Sequence, residues 1–176
     1  EGTFTVTLTD IDESFTEVSS AVGITVGGSG AWGDFDNDGD VDLFTASKLF
    51  VNDGNGFFTD SSEAFGSGTA VWTDVDNDQD LDLYLHANSS GSAQFYLNQG
   101  NGWSEQSASM GISIGGEAAS WGDYDQDGDL DLFLTRTAGA PTNDVVFRND
   151  NLSFTQVQSG LGLSYSTFGR RSGWVD

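Results

Sequence analysis

Apolar and polar positions along this chain change over in short runs of strand length. Thr3-Phe4-Thr5-Val6-Thr7-Leu8-Thr9 alternates strictly, as a half-buried strand does, and Ser14-Phe15-Thr16-Glu17-Val18 repeats the alternation after a polar turn at residues 10–13. Three later runs are apolar without alternating: Val41-Asp42-Leu43-Phe44, Leu81-Asp82-Leu83-Tyr84-Leu85 and Leu130-Asp131-Leu132-Phe133-Leu134. Branched and aromatic runs this short read as strands with both faces covered. Each is followed by two further runs around a Gly/Asn turn. The turns are Asp53-Gly54-Asn55-Gly56, Gln99-Gly100-Asn101-Gly102 and Asp150-Asn151-Leu152, which are hairpin signals. No stretch holds apolar residues at helical spacing long enough to predict a helix.

The pattern recurs as a unit. A tryptophan precedes each unit's middle strands: Trp32, Trp72, Trp121 and finally Trp174, at intervals of 40, 49 and 53 residues (32 to 72, 72 to 121, 121 to 174). Four strands repeating at about 40–50 residues predict propeller blades. The predicted fold is therefore all-β, a β-propeller of four-stranded blades with about 3.5–4 blades present. Residues 1–30 supply the last two strands of one blade. Units 31–66, 67–115 and 116–169 follow, and 170–176 begin another. That makes fifteen strands (two, three sets of four, and one), so the ring is left open. The chain is either a segment of a larger propeller or is completed by a second copy, a homodimer in which N-terminal strands meet the partner's C-terminal strand.

Charge changes the picture at one place in each unit. The chain carries 28 Asp+Glu against 5 Lys+Arg, a formal net charge of -23, and 15 of those acids fall in three nine-residue stretches. These are Asp34-Phe35-Asp36-Asn37-Asp38-Gly39-Asp40-Val41-Asp42, Asp74-Val75-Asp76-Asn77-Asp78-Gln79-Asp80-Leu81-Asp82 and Asp123-Tyr124-Asp125-Gln126-Asp127-Gly128-Asp129-Leu130-Asp131. Five carboxylates in nine residues repel one another unless they share a cation. Oxygen-only ligands at alternating positions suit calcium, which takes six to eight oxygens in a loose cage. The spacing assigns side-chain oxygens to positions 1, 3 and 5, a backbone carbonyl to position 7 and a closing carboxylate to position 9. Gly39 and Gly128 occupy position 6, where a sharp turn favours positive φ; Gln79 stands there in the second loop and is expected to weaken its site.

An EF-hand loop starts alike but ends with a bidentate Glu at position 12 and runs into a helix. Position 12 here is Thr45, Leu85 and Leu134, and strand-like runs follow. The loops thus connect strand to strand. The tandem nonapeptide of a calcium-binding β-helix is absent as well.

The D-x-D-x-D-G-x-x-D loop, set between a Trp-bearing strand and a D-L-F/Y-L strand, resembles the FG-GAP/VCBS repeat of integrin α-subunit propellers and many bacterial exported proteins. The resemblance covers essentially the whole chain. It implies about three calcium ions. Asp34, Asp36, Asp38 and Asp42 would hold the first through side chains, with the Asp40 carbonyl. Asp74, Asp76, Asp78 and Asp82 with Asp80 would hold the second, and Asp123, Asp125, Asp127 and Asp131 with Asp129 the third. The Phe-Gly dipeptide of the family survives as Phe65-Gly66 and Phe168-Gly169, which places the chain nearer the bacterial branch and argues against integrin-type partner recognition.

Other signals carry less. Gly28-Ser29-Gly30-Ala31-Trp32-Gly33 fits a dinucleotide pattern, but an acidic loop stands where the phosphate-binding helix belongs. Gly111-Ile112-Ser113-Ile114-Gly115 fits a nucleophile elbow without the helix that follows one, and the one histidine, His86, reads as a strand-end residue. A glycosidase pair needs one carboxyl with a raised pKa in an apolar pocket, whereas a dication drives its ligands toward ionisation. The recurrent aromatics Trp32, Trp72, Trp121, Phe44, Tyr84 and Phe133 are expected to pack between blades. Trp103 and Tyr165 fall outside that register and are free to meet a ligand. Asn88-Ser89-Ser90 and Asn151-Leu152-Ser153 match the glycosylation pattern at a frequency close to chance.

These readings bound the function. The acidic field disfavours nucleic acid and anionic membrane, and no membrane-spanning or leader segment is visible. With 12% aromatic residues the chain is not a disordered acidic tail, and without Cys it has neither disulfides nor thiolate metal sites. The expected role is a non-enzymatic calcium-binding module for adhesion or for a protein ligand. Its expected location is extracellular, at the cell surface or periplasmic, where calcium is abundant. The alternatives are a carbohydrate-binding (lectin-like) propeller and an accessory domain of a larger exported enzyme.

Overall fold

A computed structural model describes residues 16–86, 92–112, 114–135 and 144–157. They form three four-stranded antiparallel sheets, each built from strands consecutive in sequence. The first contains β1 (Gly30–Gly33), β2 (Asp42–Thr45), β3 (Lys48–Asn52) and β4 (Phe58–Asp60). The second contains β5 (Thr69–Thr73), β6 (Asp82–His86), β7 (Gln94–Asn98) and β8 (Trp103–Glu105). The third contains β9 (Ala118–Gly122), β10 (Asp131–Thr135), β11 (Val145–Asn149) and β12 (Phe154–Gln156). Each sheet is blade-like. Its first strand ends in the Trp dipeptide, the acidic loop returns the chain into the second strand, and the Gly/Asn turn closes the outer hairpin.

The middle strands show why their sequences lack alternation. Successive side chains of a strand point to opposite faces, so a strand packed on both sides is apolar throughout. In β6, Leu83 and Leu85 join Phe44, Leu49 and Tyr96 in a core between the first and second sheets. Tyr84, between them in sequence, points the other way and joins Phe95, Leu132, Leu134 and Phe147 in a core between the second and third. The hydrophobic interior therefore lies between sheets, and each sheet depends on its neighbour for burial.

Aromatic side chains seal these seams. Trp72 lies parallel to Phe35 of the first acidic loop, and its indole N–H donates to the Ala31 carbonyl at 3.2 Å. Trp121 meets Tyr84 and Phe95 edge-on. Phe65 stands edge-on to Phe44, Tyr96 and Trp103, while the Gly66 N–H donates to the Tyr96 hydroxyl at 2.9 Å. The Phe-Gly pair is thus a plug between the first two sheets; Phe168-Gly169 lies outside the described residues.

Three expectations need correction. Trp32 is not packed between sheets but 59% exposed, touching Phe58 edge-on, because no sheet precedes the first among the described residues. Phe133 is half-buried for the matching reason, since its face of β10 points away from the second sheet. Residues 16–18, the described part of the strand expected over 14–18, are not in a strand. The chain instead turns at 19–23, and its link to the sheet is the Phe58 N–H donating to the Val22 carbonyl at 2.7 Å. Gly23, at φ 96, makes that approach close enough to exclude any Cβ. One helical turn, α1 (Ser107–Met110), was not expected. It buries Met110 and ends on Gly111 in the left-handed conformation. The strand at 3–9, Trp174, Tyr165, Asn88-Ser89-Ser90 and the unit begun at 170–176 lie outside the described residues.

Candidate metal centres

The three acidic loops join first to second strands at β1–β2, β5–β6 and β9–β10, and their internal hydrogen bonds are the same. The position-1 carboxylate receives two backbone N–H groups from the far side of its loop. Asp34 accepts from Asp38 and Gly39, Asp74 from Asp78 and Gln79, and Asp123 from Asp127 and Gly128, all at 3.0–3.1 Å. The position-5 carboxylate accepts from the N–H of position 7 in each loop, Asp38 from Asp40, Asp78 from Asp80 and Asp127 from Asp129, at 2.9–3.0 Å. The chain is thereby wound inward, and carboxylates that repel one another are made to converge. Oxygens of Asp34, Asp36 and Asp42 lie within 4.8 Å of one another, as do those of Asp74, Asp76 and Asp78 and those of Asp123, Asp125 and Asp127.

Left-handed residues make this winding possible. Gly39 and Gly128 have φ 94 and 97, and Gln79 is held at φ 77 without glycine's freedom. Position 4 is left-handed too, at Asn37, Asn77 and Gln126, with φ 58, 60 and 62. Asn adopts this conformation more readily than most residues.

Position 9 does more than close the loop. Asp42, Asp82 and Asp131 are fully buried, and each spans two elements. One oxygen accepts the N–H of position 2 (Phe35 at 3.2 Å, Val75 at 3.0 Å, Tyr124 at 2.9 Å). The other accepts the N–H of the last residue of the third strand (Asn52 at 2.8 Å, Asn98 at 2.9 Å, Asn149 at 2.8 Å). Those three asparagines were missed as functional residues. Each also donates its side-chain amide to the position-8 carbonyl, Val41, Leu81 or Leu130. The sequence signal is an Asn closing each third strand, but it stands 10, 16 or 18 residues after its aspartate, so no fixed spacing reveals it.

The position-7 side chains leave the cluster, which suits a residue contributing only its carbonyl. Asp80 accepts from the Asn37 amide at 2.7 Å and Asp129 from the Asn151 N–H at 2.8 Å, while Asp40 lies against Gly54.

Residues 74–134, from the second loop to the end of the third, match the family model described as FG-GAP-like repeat. Comparison with curated proteins gave no match. Repeats of this kind form β-propeller-like modules, and the three blade-like sheets agree with that architecture.

The electrostatics of the three loops bear on whether a cation fits. Burial, followed by the charge of a neighbouring aspartate, raises Asp36 and Asp76 above the ordinary carboxylate range. Burial likewise raises Asp42 and Asp131 and pushes Asp82 up to about 7, against the pull of two backbone N–H groups on each. Burial of the charged form, with like charge beside it, is what a cation among the oxygens would offset. The ion pairs Lys48–Asp60 and Arg148–Asp150 both lie outside the loops. The donor set is oxygen alone, so the clusters could hold a hard metal ion and suit one better than a metal that favours nitrogen or sulfur.

The lesser signals resolve simply. Gly30–Gly33 is β1 and leads into the acidic loop. His86 ends β6, buried, with Nδ1 3.2 Å from the Gly116 carbonyl. Trp103 joins the aromatic seam with Phe35, Phe65 and Trp72, and it also lines a cleft of about 220 Å³ between the first two sheets. Asp36, Glu63, Asp80 and Asn101 border the same cleft.

Proposed function

We propose that the chain is a calcium-binding β-propeller module of an exported protein, non-enzymatic, serving as a scaffold for adhesion or for a protein ligand. The observation that carries this reading is the threefold convergence of aspartate oxygens, fixed by the same backbone donors in every loop. Calcium would supply the charge that Asp34, Asp36, Asp38 and Asp42 and their counterparts lack, and would pin the turn between the first two strands of each blade. The ion prefers the folded cage to the open chain, so binding and folding are linked. Calorimetric titration of metal-stripped protein should count three ions, and excess chelator should lower the melting temperature. A melt unmoved by chelator, with no heat on adding calcium, overturns the reading.

In this reading the open face at Trp32 receives a further blade, since its counterparts Trp72 and Trp121 pack on the preceding sheet. The blade comes from more of the same polypeptide or from a second copy. Light scattering separates these, a dimer favouring the second.

A carbohydrate ligand is the second reading, supported by the cleft beside Trp103. An aromatic ring with neighbouring carboxylate and amide groups suits a sugar's apolar face and hydroxyls. A glycan array with wild type and Trp103→Ala decides it; binding that survives the substitution rules out this cleft.

A further inference from the structure

The loops touch one another through their position-4 asparagines. Asn37 sits between Asp36 and Asp38 of the first loop. Its side-chain amide donates to the Gln79 carbonyl of the second at 3.2 Å and to Asp80 Oδ1 at 2.7 Å. Asn77 sits between Asp76 and Asp78, and its amide donates to the Gly128 carbonyl of the third loop at 3.1 Å. In both cases the acceptor is the position-6 carbonyl of the next loop.

What lies beyond that carbonyl gives the contact its meaning. A peptide unit is planar, so the carbonyl of position 6 and the N–H of position 7 turn together. The N–H of Asp80 donates to Asp78 Oδ1 at 2.9 Å, and that of Asp129 to Asp127 Oδ1 at 3.0 Å. Asp78 and Asp127 belong to the converging clusters. A single rigid plane therefore stands between the amide of one loop and a carboxylate of the next, and hydrogen bonds in such a row polarise one another in the same sense.

Resting on the calcium reading above, we infer that Asn37 and Asn77 are positioning residues that couple the three loops, so that filling one loop favours filling the next. An ion drawing positions 3 and 5 of one loop together fixes the asparagine between them. That asparagine fixes the peptide plane that orients position 5 of the following loop. Coupling of this kind is reciprocal and carried by contiguous contacts.

The test is calorimetric titration of the full chain with calcium, comparing wild type, Asn37→Gly and Asn77→Gly. Glycine accepts the left-handed backbone of position 4, so these variants remove the amide without straining the loop. Three ions should still bind, with the downstream loop weakened about fivefold or more. Asn77→Asp, which keeps the shape but loses the donor, should reproduce the loss. The decisive comparison is Asp36→Asn, which disables the first loop. It should weaken the second loop in the Asn37 background and leave it unchanged in Asn37→Gly. Equal weakening in both backgrounds, or none in either, overturns the coupling while three bound ions keep the calcium reading intact. A wild-type chain that binds no calcium overturns both.

Discussion

Asp82 accepts the backbone N–H of Asn98 at 2.9 Å from inside a fully buried site, joining the start of β6 to the end of β7. Its second oxygen accepts the Val75 N–H at 3.0 Å. The carboxylate is thus a brace for the sheet as well as a group facing the loop. Asp82→Ala would leave two backbone donors unsatisfied, a cost of about 2–4 kcal/mol. Without calcium it also removes a carboxyl that burial pushes up to about 7, so the net loss should be small near neutral pH and grow as pH falls and the carboxyl takes up its proton. Urea denaturation in excess chelator measures this directly. Asp82→Asn retains acceptor capacity and should lose less. Midpoints for Asp82→Ala and wild type that stay identical in chelator as the pH is lowered below 7 would show that the brace contributes nothing.

Gln79 holds φ 77 where the first and third loops have glycine. A side chain in this conformation costs roughly 1 kcal/mol relative to glycine. Gln79→Gly should therefore raise stability by about 1 kcal/mol and tighten calcium binding at the second loop. Thermal melts and calorimetric titration check the two effects. A less stable Gln79→Gly protein would mean that the glutamine side chain contributes more than its backbone strain costs.

Tyr84 is fully buried, and its hydroxyl has no partner among the described residues. Burial pushes the phenol far above its ordinary range. Removing an unpartnered buried hydroxyl while keeping the ring relieves a desolvation penalty, so Tyr84→Phe is expected to be neutral or stabilising by about 1 kcal/mol. A loss of more than that in a chemical melt would reveal a hydrogen-bond partner.

His86 supplies a pH dependence independent of the loops. Burial holds its pKa below the ordinary 6.5, against the Gly116 carbonyl and the charge of Glu117, which favour the protonated form. The folded state thus binds its proton less readily than the unfolded chain. The stabilisation is complete above about 6.5 and is lost as pH falls below that value toward the folded pKa. In saturating calcium, the stability lost between pH 7.5 and 5.5 should be smaller in His86→Gln than in wild type. Parallel curves would exclude His86 as the titrating group.

Much of this architecture is local and therefore legible in the order of residues. The unalternating run Leu81–Leu85 announced a strand covered on both sides, because a strand turns successive side chains to opposite faces. The Gly/Asn turns announced the outer hairpins. Five aspartates in nine residues, with glycine at position 6 in the first and third, announced inward-wound loops, since the bonds that wind them span no more than seven residues.

Other features depend on how one sheet lies against the next, and no local pattern encodes them. Asn37 meets Gln79 across 42 residues and Asn77 meets Gly128 across 51, because packing the sheets face to face brings successive loops into line. The braces from Asp42, Asp82 and Asp131 to the ends of the third strands cross intervals that differ from sheet to sheet. Trp32 and Trp72 occupy the same place in the repeat, yet one is exposed and the other half-buried, since a tryptophan is covered only where a neighbouring sheet stands beside it. Spacing along the chain determined which aspartates share a loop. Contact between sheets decided what holds those loops, and what they touch.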